Sequence, residues 1–215
     1  MKKRMITLAV VVMLVPAALA FGQISFVGGF GSYCMPMAPE TFTDYWEADI
    51  GFGGEVAFSM SETSALVGSF HMLNHKLDGE KILDDMGYGG MGLELEGGNL
   101  TGYAITANFM KYLSPPSAGA GFYVTAGGGY YSFKPDDATL SGLGQSQDIE
   151  MAEESETGFG LNGGVGIQFG SGSFAFFAEG RYHMTFIEME EEEGFAGEGG
   201  NVAFLTVKGG IRLTL

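Results

Sequence analysis

The chain has 215 residues, a formal net charge of −16, 37 glycines and an aromatic content of 13%, with 6 prolines and 1 cysteine. The negative charge excludes a nucleic-acid-binding protein of the usual basic kind, and the composition is unlike that of a disordered or collagen-like chain. A single cysteine excludes an intramolecular disulfide. The class that remains is a glycine- and aromatic-rich β protein of one domain.

The first twenty residues have the pattern of a secretory signal peptide. Basic residues occupy positions 2–4, an apolar run covers residues 5–15, and an Ala-Leu-Ala sequence stands at residues 18–20. The run is shorter than the roughly 20 apolar residues that a membrane-spanning helix needs. We therefore predict a signal peptide over residues 1–20 and a mature domain over residues 21–215.

After the signal peptide, no stretch is long and apolar enough for a helical span, so any membrane insertion must use strands. Segments of about ten residues with alternating apolar and polar positions recur along the mature chain, as in transmembrane barrels. The predicted strands are 24–33, 47–59, 65–75, 101–113, 121–133, 157–169, 174–187 and 202–215. This pattern predicts an all-β, eight-stranded antiparallel transmembrane β-barrel with an up-and-down meander.

The connections between these segments alternate in length. The long connections are 34–46, 76–100, 134–156 and 188–201, and short turns stand between them. Long and short connections therefore fall on opposite ends, as in bacterial barrels with short periplasmic turns and longer extracellular loops. Most of the 26 Asp and Glu residues lie in the long connections. One end of the barrel is thus predicted to be strongly acidic.

The last predicted strand shows two distinct faces. Leu205, Val207, Ile211 and Leu213 alternate with Thr206, Lys208, Arg212 and Thr214. A period of two makes the face assignment all-or-none for a strand. We assign the apolar face to lipid and the polar, glycine-rich face to the lumen. The opposite assignment gives a soluble barrel of the lipocalin type, with the apolar face around a ligand cavity.

The signal, the eight segments and the terminal strand 202–215 together resemble the outer-membrane β-barrel family that includes the OmpA transmembrane domain and the OmpX- and Ail-type proteins. The resemblance covers essentially the whole mature chain. It implies a location in the outer membrane of a Gram-negative-type bacterium, contact with outer-membrane lipid and lipopolysaccharide, and insertion by the barrel-assembly machinery. We expect a monomer without a cofactor and without a nucleic-acid partner.

Six charged residues fall on the predicted lumen face. They are Asp49, Glu55, Glu179, Arg181, Lys208 and Arg212. Buried charges must be paired to be tolerated, so these side chains are candidates for an ion-pair network. Eight strands leave an interior that side chains can fill, which favours a packed polar plug. The predicted function is envelope structure, surface interaction or adhesion through the acidic loops, and the alternative is a narrow, porin-like passive channel.

A possible catalytic pair lies on the seventh predicted strand. His183 and Thr185 share one face, as a base and a nucleophile would, and faintly resemble the His-x-Ser of outer-membrane lipid A deacylases. The pair falls on the predicted lumen face, whereas lipid chemistry needs access to the bilayer. We therefore predict no catalytic residue and no enzyme, with a lipid A-modifying enzyme as a minor alternative.

Carboxylates are concentrated in the third and fourth long connections. The candidates for weak binding of divalent cations are Asp148, Glu150, Glu153, Glu154, Glu156, Glu188, Glu190, Glu191, Glu192 and Glu193. Their oxygens suit Ca²⁺ or Mg²⁺, but the spacing of a preorganised calcium loop is missing, so no specific metal site is predicted. The favoured interpretation is solvated, mobile loops. Divalent bridging to lipopolysaccharide is the functional alternative.

Aromatic residues near the predicted strand ends suggest an interfacial girdle. They are Tyr33, Trp46, Tyr112, Tyr123 and Tyr130. Such a girdle would place these rings at the level of the lipid headgroups.

Overall fold

The computed structural model describes residues 23–114, 119–142, 144–150, 155–170, 172–189 and 200–215. The strands in these ranges are β1 Ile24–Ala38, β2 Trp46–Ser61, β3 Ser64–Leu77, β4 Leu93–Gly97, β5 Leu100–Tyr112, β6 Ala120–Pro135, β7 Ala138–Gly142, β8 Gln145–Ile149, β9 Glu156–Phe169, β10 Phe174–Met189 and β11 Gly200–Thr214. Two short helices, α1 Glu40–Tyr45 and α2 Gly79–Asp85, lie between strands. The predicted signal peptide lies outside the described residues.

Eight of these strands form a closed barrel. Around the wall the order is β1, β2, β3, β5, β6, β9, β10 and β11, and every neighbouring pair is antiparallel. The first and last strands close the barrel through a ladder that runs from Phe26 opposite Thr214 to Ala38 opposite Ala203. Closure pairs the strand edges with one another, which satisfies the backbone where water is absent. The predicted eight-stranded antiparallel meander is confirmed.

The outer wall of the barrel is apolar and exposed. Phe52, Val165 and Phe176 are 56%, 65% and 60% exposed, whereas their polar neighbours Glu55 and Glu179 are 4% and 3% exposed. An apolar surface of this extent needs a partner of the same kind, and lipid hydrocarbon provides it. The predicted face assignment is confirmed, and the lipocalin-type alternative is wrong because the apolar face points outward. Among the described helices, none has the length and apolar character of a membrane span.

Outward aromatic rings form a row across four adjacent strands. Phe70, Tyr103, Tyr130 and Phe159 follow one another with centroid distances of 6.3, 6.4 and 5.9 Å. The predicted girdle is wrong for Tyr112, which packs against the lumen cluster near the short-turn end, and for Trp46, which packs against the clusters at the long-loop end. It is also wrong for Tyr123, which is 1% exposed and points into the lumen. The reason is strand alternation, since its neighbours Phe122 and Val124 take the outward positions.

The lumen is filled in three layers. An apolar layer near the short-turn end comprises Phe26, Ala57, Ala65, Val67, Met110 and Tyr123. A second apolar layer near the long-loop end comprises Cys34, Phe42, Leu73, Leu100, Ala104, Tyr131, Phe133, Ile187, Val202 and Phe204. The charged side chains lie between these two layers. The barrel therefore has a polar centre that is bounded by apolar packing on both sides.

The long connections contain secondary structure of their own. β4, β7 and β8 form a separate three-stranded antiparallel sheet in which β7 is central. α1 and α2 pack on the barrel mouth through a cluster of Tyr45, Leu77 and Ile82, with Leu95 of β4 against it. These connections are therefore folded in part, although the described carboxylates of the third connection, Asp148, Glu150 and Glu156, are exposed.

Candidate functional site

Five of the six predicted lumen charges meet in one network. Glu179 Oε1 lies 2.6 Å from Arg181 Nε and 3.1 Å from Lys208 Nζ. Glu55 Oε1 lies 2.7 Å from Arg212 Nε, and Glu55 Oε2 lies 3.6 Å from Lys208 Nζ. Lys208 therefore contacts both carboxylates and joins the two halves of the network. All five side chains are at most 4% exposed, so each charge depends on these partners.

Strand register explains how these residues meet. Glu179 of β10 stands directly opposite Lys208 of β11. Arg212 of β11 and Glu55 of β2 both pair with Gly28, which lies on β1 between them. A Cβ atom at Gly28 would lie 3.2 Å from the Arg212 side chain and 3.3 Å from the Glu55 side chain. The absence of a side chain at Gly28 therefore lets the ion pair form across β1.

Neutral polar groups add hydrogen bonds to the network. The Tyr123 hydroxyl donates to Glu179 Oε2 at 3.0 Å and accepts from Arg212 Nη2 at 3.3 Å. Arg212 Nη1 donates to Gln168 Oε1 at 2.9 Å. Gly166 provides the space for the Tyr123 ring, because a Cβ atom there would overlap it. Tyr123 and Gln168 were not predicted as members, since neither carries a charge that marks it in the sequence.

Aromatic rings face the cations of the network. The Arg212 guanidinium carbon lies 4.1 Å from the Phe177 centroid and 4.5 Å from the Phe26 centroid. Lys208 Nζ lies 4.7 Å from the Phe30 centroid. The network holds three cations and two carboxylates, so one positive charge lacks a carboxylate of its own. Ring faces attract cations, which helps to accommodate that excess.

Asp49 does not join the network, so the prediction for this residue is wrong. It shares the lumen face of β2 with Glu55 but lies six residues away, which is about 20 Å along an extended strand. Its Oδ1 accepts a hydrogen bond from the backbone N–H of Ile50 at 2.7 Å, and the residue is only half-buried. Alternation predicted the correct face, but not the level along the barrel axis.

His183 and Thr185 are not arranged as a base and a nucleophile. His183 Nδ1 lies 3.0 Å from the Tyr131 hydroxyl, and Nε2 lies 3.2 Å from Thr206 Oγ1. The Thr185 hydroxyl donates to the Val202 carbonyl at 3.0 Å. Both side chains are buried in the lumen. Their geometry is that of satisfied core residues.

Helix α1 closes the lumen at the long-loop end. Its Phe42 is fully buried, with the His75 ring at 4.9 Å and the Trp46 ring at 6.1 Å between centroids. Deeper in the barrel, Phe204 stacks on His183 at 4.5 Å with an interplanar angle of 6°. Sequence reasoning missed this closure, because Phe42 stands in a connection rather than in a strand. The lumen is therefore packed on both sides of the ion-pair network.

The start of α2 is fixed by its own side chains. Asp78 Oδ1 accepts a hydrogen bond from the Lys81 backbone N–H at 3.0 Å, as an N-cap residue does. Asp85 accepts from the Tyr45 hydroxyl of α1 at 3.1 Å and from Lys81 Nζ at 3.4 Å. The hydrogen bond to Asp85 raises the pKa of the exposed Lys81 ammonium group. Polar contacts thus join α1 and α2 at the mouth.

The predicted cation-binding carboxylates are only partly described. Asp148 lies in β8 and accepts from Thr139 Oγ1 at 3.0 Å, and Glu150 and Glu156 are exposed. Glu188 lies in β10, while Glu153, Glu154 and 190–193 lie outside the described residues. Across the described ranges, no three His, Cys, Asp or Glu side chains are grouped as metal ligands would be. Divalent binding remains a prediction.

Comparison with solved structures identifies the fold. The Pseudomonas aeruginosa outer membrane protein OprG matches with a TM-score of 0.55 and 11% identity over 90% of this chain and 98% of that chain. The neisserial surface protein NspA matches with a TM-score of 0.50 and 13% identity over 88% and 96%. The fold is that of the small outer-membrane β-barrels. No protein-family model matches the chain, and no curated protein sequence does.

The fold and the wall of this outer-membrane barrel support one location. A closed antiparallel barrel can cross a bilayer with its backbone satisfied, and the exposed apolar wall matches lipid. The protein therefore lies in the outer membrane. Its folded connections, with α1, α2 and the β4–β7–β8 sheet, stand together at the long-loop end, which in barrels of this kind is extracellular.

Proposed function

We propose that this outer-membrane barrel is non-enzymatic and acts by surface contact through its acidic extracellular end. The observation that carries the proposal is the filled lumen, in which five charged side chains pair with one another between two apolar layers. A lumen that is filled by its own side chains leaves the extracellular end as the surface available for function.

The filled lumen also speaks against the alternative, a narrow passive channel. A conducting path would have to displace Phe42 and the rest of the apolar layer near the long-loop end. It would also have to separate the paired side chains of the ion-pair network, which are at most 4% exposed. Separating a buried ion pair costs several kcal/mol, about 3 to 5 when one partner is removed. We therefore favour the plug over the pore.

The negative charge of the acidic end bears on how the protein contacts the lipid that surrounds it. Carboxylates near a membrane surface that carries anionic lipopolysaccharide would repel it unless divalent cations bridge the two. We propose that outer-membrane lipid and lipopolysaccharide surround the barrel, that Ca²⁺ or Mg²⁺ mediates the contact weakly, and that the barrel-assembly machinery inserts the chain. The proposal needs no cofactor.

Attachment of whole cells tests the proposal. Cells that produce the full chain should attach more strongly to an amine-bearing surface than cells without it, and the difference should shrink as salt rises. Exchanging Asp137→Asn, Glu150→Gln and Glu156→Gln should weaken attachment, whereas Glu62→Gln at the opposite, short-turn end should not. Attachment equal to that of cells without the protein would contradict the proposed function.

A further inference from the structure

In the part of the chain that the structure describes, the sheet of β4, β7 and β8 has an edge strand with no further strand beside it. In the order β4–β7–β8, β8 is a terminal strand, and its residues 145–148 are exposed. β7 and β8 pair from Gly142 opposite Gln145 to Ala138 opposite Ile149. The Leu95 carbonyl of β4 points to α2, so Leu95 and Leu140 form a pair without mutual hydrogen bonds, and the Leu140–Gln147 pair is hydrogen-bonded. Because hydrogen-bonded pairs alternate, the backbone N–H and C=O groups of Ser146 and Asp148 face away from β7. These groups form a template for one further strand.

The other edge of the sheet is covered. Leu95 of β4 packs against the cluster of Tyr45, Leu77 and Ile82, and its carbonyl oxygen lies against Gly79 at the start of α2. A strand could not pair with β4 without displacing α2. The β8 edge is therefore the side on which the described part of the sheet can be extended.

The chemistry of the sheet defines what would pair with β8. Register places Glu96, Thr139 and Asp148 in one row across the three strands. Alternation puts Glu94 on the same face, while Leu95 lies on the opposite face. The three strands contain no Lys or Arg. An added strand would therefore place its side chains directly beside Asp148 of β8, while Glu94 and Glu96 of β4 stand on the same face about 14 Å away, at about 4.8 Å per strand. Cationic side chains at every second position would complement Asp148 directly and the carboxylates of β4 through their longer-range field.

We propose that the β8 edge binds a basic, extended segment of a partner protein by strand addition. Main-chain hydrogen bonds to β8 would supply part of the affinity, and alternating Lys or Arg side chains over the acidic face would supply the specificity. A second copy of this chain is disfavoured, because each copy carries a formal charge of −16 and the same acidic face. The inference rests on the proposed function and names the partner and its binding mode.

Peptide binding to the refolded full chain in nanodiscs of uncharged lipid tests this inference. The probe is a nine-residue peptide in which Lys and Thr alternate, with empty nanodiscs as the control. A peptide of the same sequence that is N-methylated at every amide keeps its charge and loses its backbone donors. We expect the N-methylated peptide to bind about tenfold more weakly or worse, since every 1.4 kcal/mol is tenfold. Equal binding by the two peptides would show charge attraction alone and overturn strand addition.

Variants of the sheet test whether peptide binding depends on the β8 edge or only on the negative charge of the long-loop end. Ser146→Pro removes an outward N–H and spares the ladder to β7, so it should weaken binding strongly. Exchanging Glu94→Gln, Glu96→Gln and Asp148→Asn should weaken binding more than the equal charge change Glu40→Gln, Asp44→Asn and Glu80→Gln on α1 and α2. Equal losses for the two triple variants would overturn the assignment to this face.

Hydrogen exchange provides a direct readout of pairing. Amides in residues 145–149 should exchange more slowly when the Lys-Thr peptide is bound, and they should be unaffected by the N-methylated peptide. Failure to bind the peptide at all would overturn the inference. The attachment of whole cells would be unaffected by that result, so failure here is distinguishable from failure of the proposed function.

Discussion

The lumen of the barrel and its long-loop end both carry charged side chains, but their surroundings are opposite. In the lumen, Glu55 and Glu179 are buried and each contacts cations within 3.6 Å. At the long-loop end, carboxylates such as Glu94, Asp137 and Glu150 are exposed. Burial makes each lumen charge dependent on its partners, whereas water screens the exposed charges. We therefore expect substitutions of the lumen charges to change stability, and we propose that the exposed charges mediate contact with other molecules.

The largest effect is expected from breaking the lumen network. Glu179→Ala leaves Arg181 and Lys208 buried without their shared carboxylate, and it should destabilise the detergent-refolded barrel by about 3 to 5 kcal/mol in denaturant unfolding. Glu62→Ala, at an exposed turn, should change stability by less than about 0.5 kcal/mol. A loss below about 1 kcal/mol for Glu179→Ala would indicate a solvated carboxylate and contradict the packed plug.

The closure of the lumen by α1 should also contribute to stability. Phe42→Ala removes a fully buried ring next to His75 and should cost about 3 kcal/mol, since the cavity cannot collapse within a closed barrel wall. Met86→Ala, at an exposed position of the same end, is the matched control and should be close to neutral. If Phe42→Ala and Met86→Ala both lower the melting temperature by the same small amount, α1 does not close the lumen.

Glycine substitutions compare the two faces of the wall. Gly166→Ala would drive a methyl group into the Tyr123 ring and should cost about 1 to 3 kcal/mol. Gly180→Ala faces outward, where a Cβ atom meets nothing within 4 Å, and should be tolerated. Denaturant unfolding of both variants checks the expectation. Equal losses would show that the lumen face is not the crowded one.

Sequence patterns predicted the barrel and much of its interior. Period-two alternation placed Glu179, Arg181 and Lys208 on the lumen face, and the proximity of β10 and β11 brought them together. The level of a residue along the barrel axis depends on strand stagger, which a single sequence does not show. Alternation therefore grouped Asp49 with Glu55, from which it is separated by six residues, or about 20 Å along an extended strand.

Features formed by the connections were harder to predict. β4 and β7 pair through Leu95 and Leu140, which lie far apart in the sequence, and each strand has only five residues. Phe42 closes the lumen from a helix of six residues, which is too short to give a periodic signal. Such elements depend on tertiary packing rather than on local propensity.

The smallest effect is expected from divalent cations at the long-loop end. Ca²⁺ or Mg²⁺ in the millimolar range should raise the melting temperature and slow proteolysis of the loops, by a stabilisation of about 1 kcal/mol for a ligand at several times its Kd. Glu190, Glu191, Glu192 and Glu193 exchanged for Gln should remove much of the gain. If Na⁺ at matched ionic strength protects equally, the effect is screening and there is no cation site.

Single-channel recording of the refolded protein in planar bilayers tests the central claim most directly. A lumen filled by paired charges between two apolar layers should give no steady conductance over a wide range of voltage. The Phe42→Ala and Glu179→Ala variants, measured beside it, show whether the assay can detect a weakened plug. A stable, reproducible conductance of the unmodified chain would contradict the plug and assign the protein to the channels.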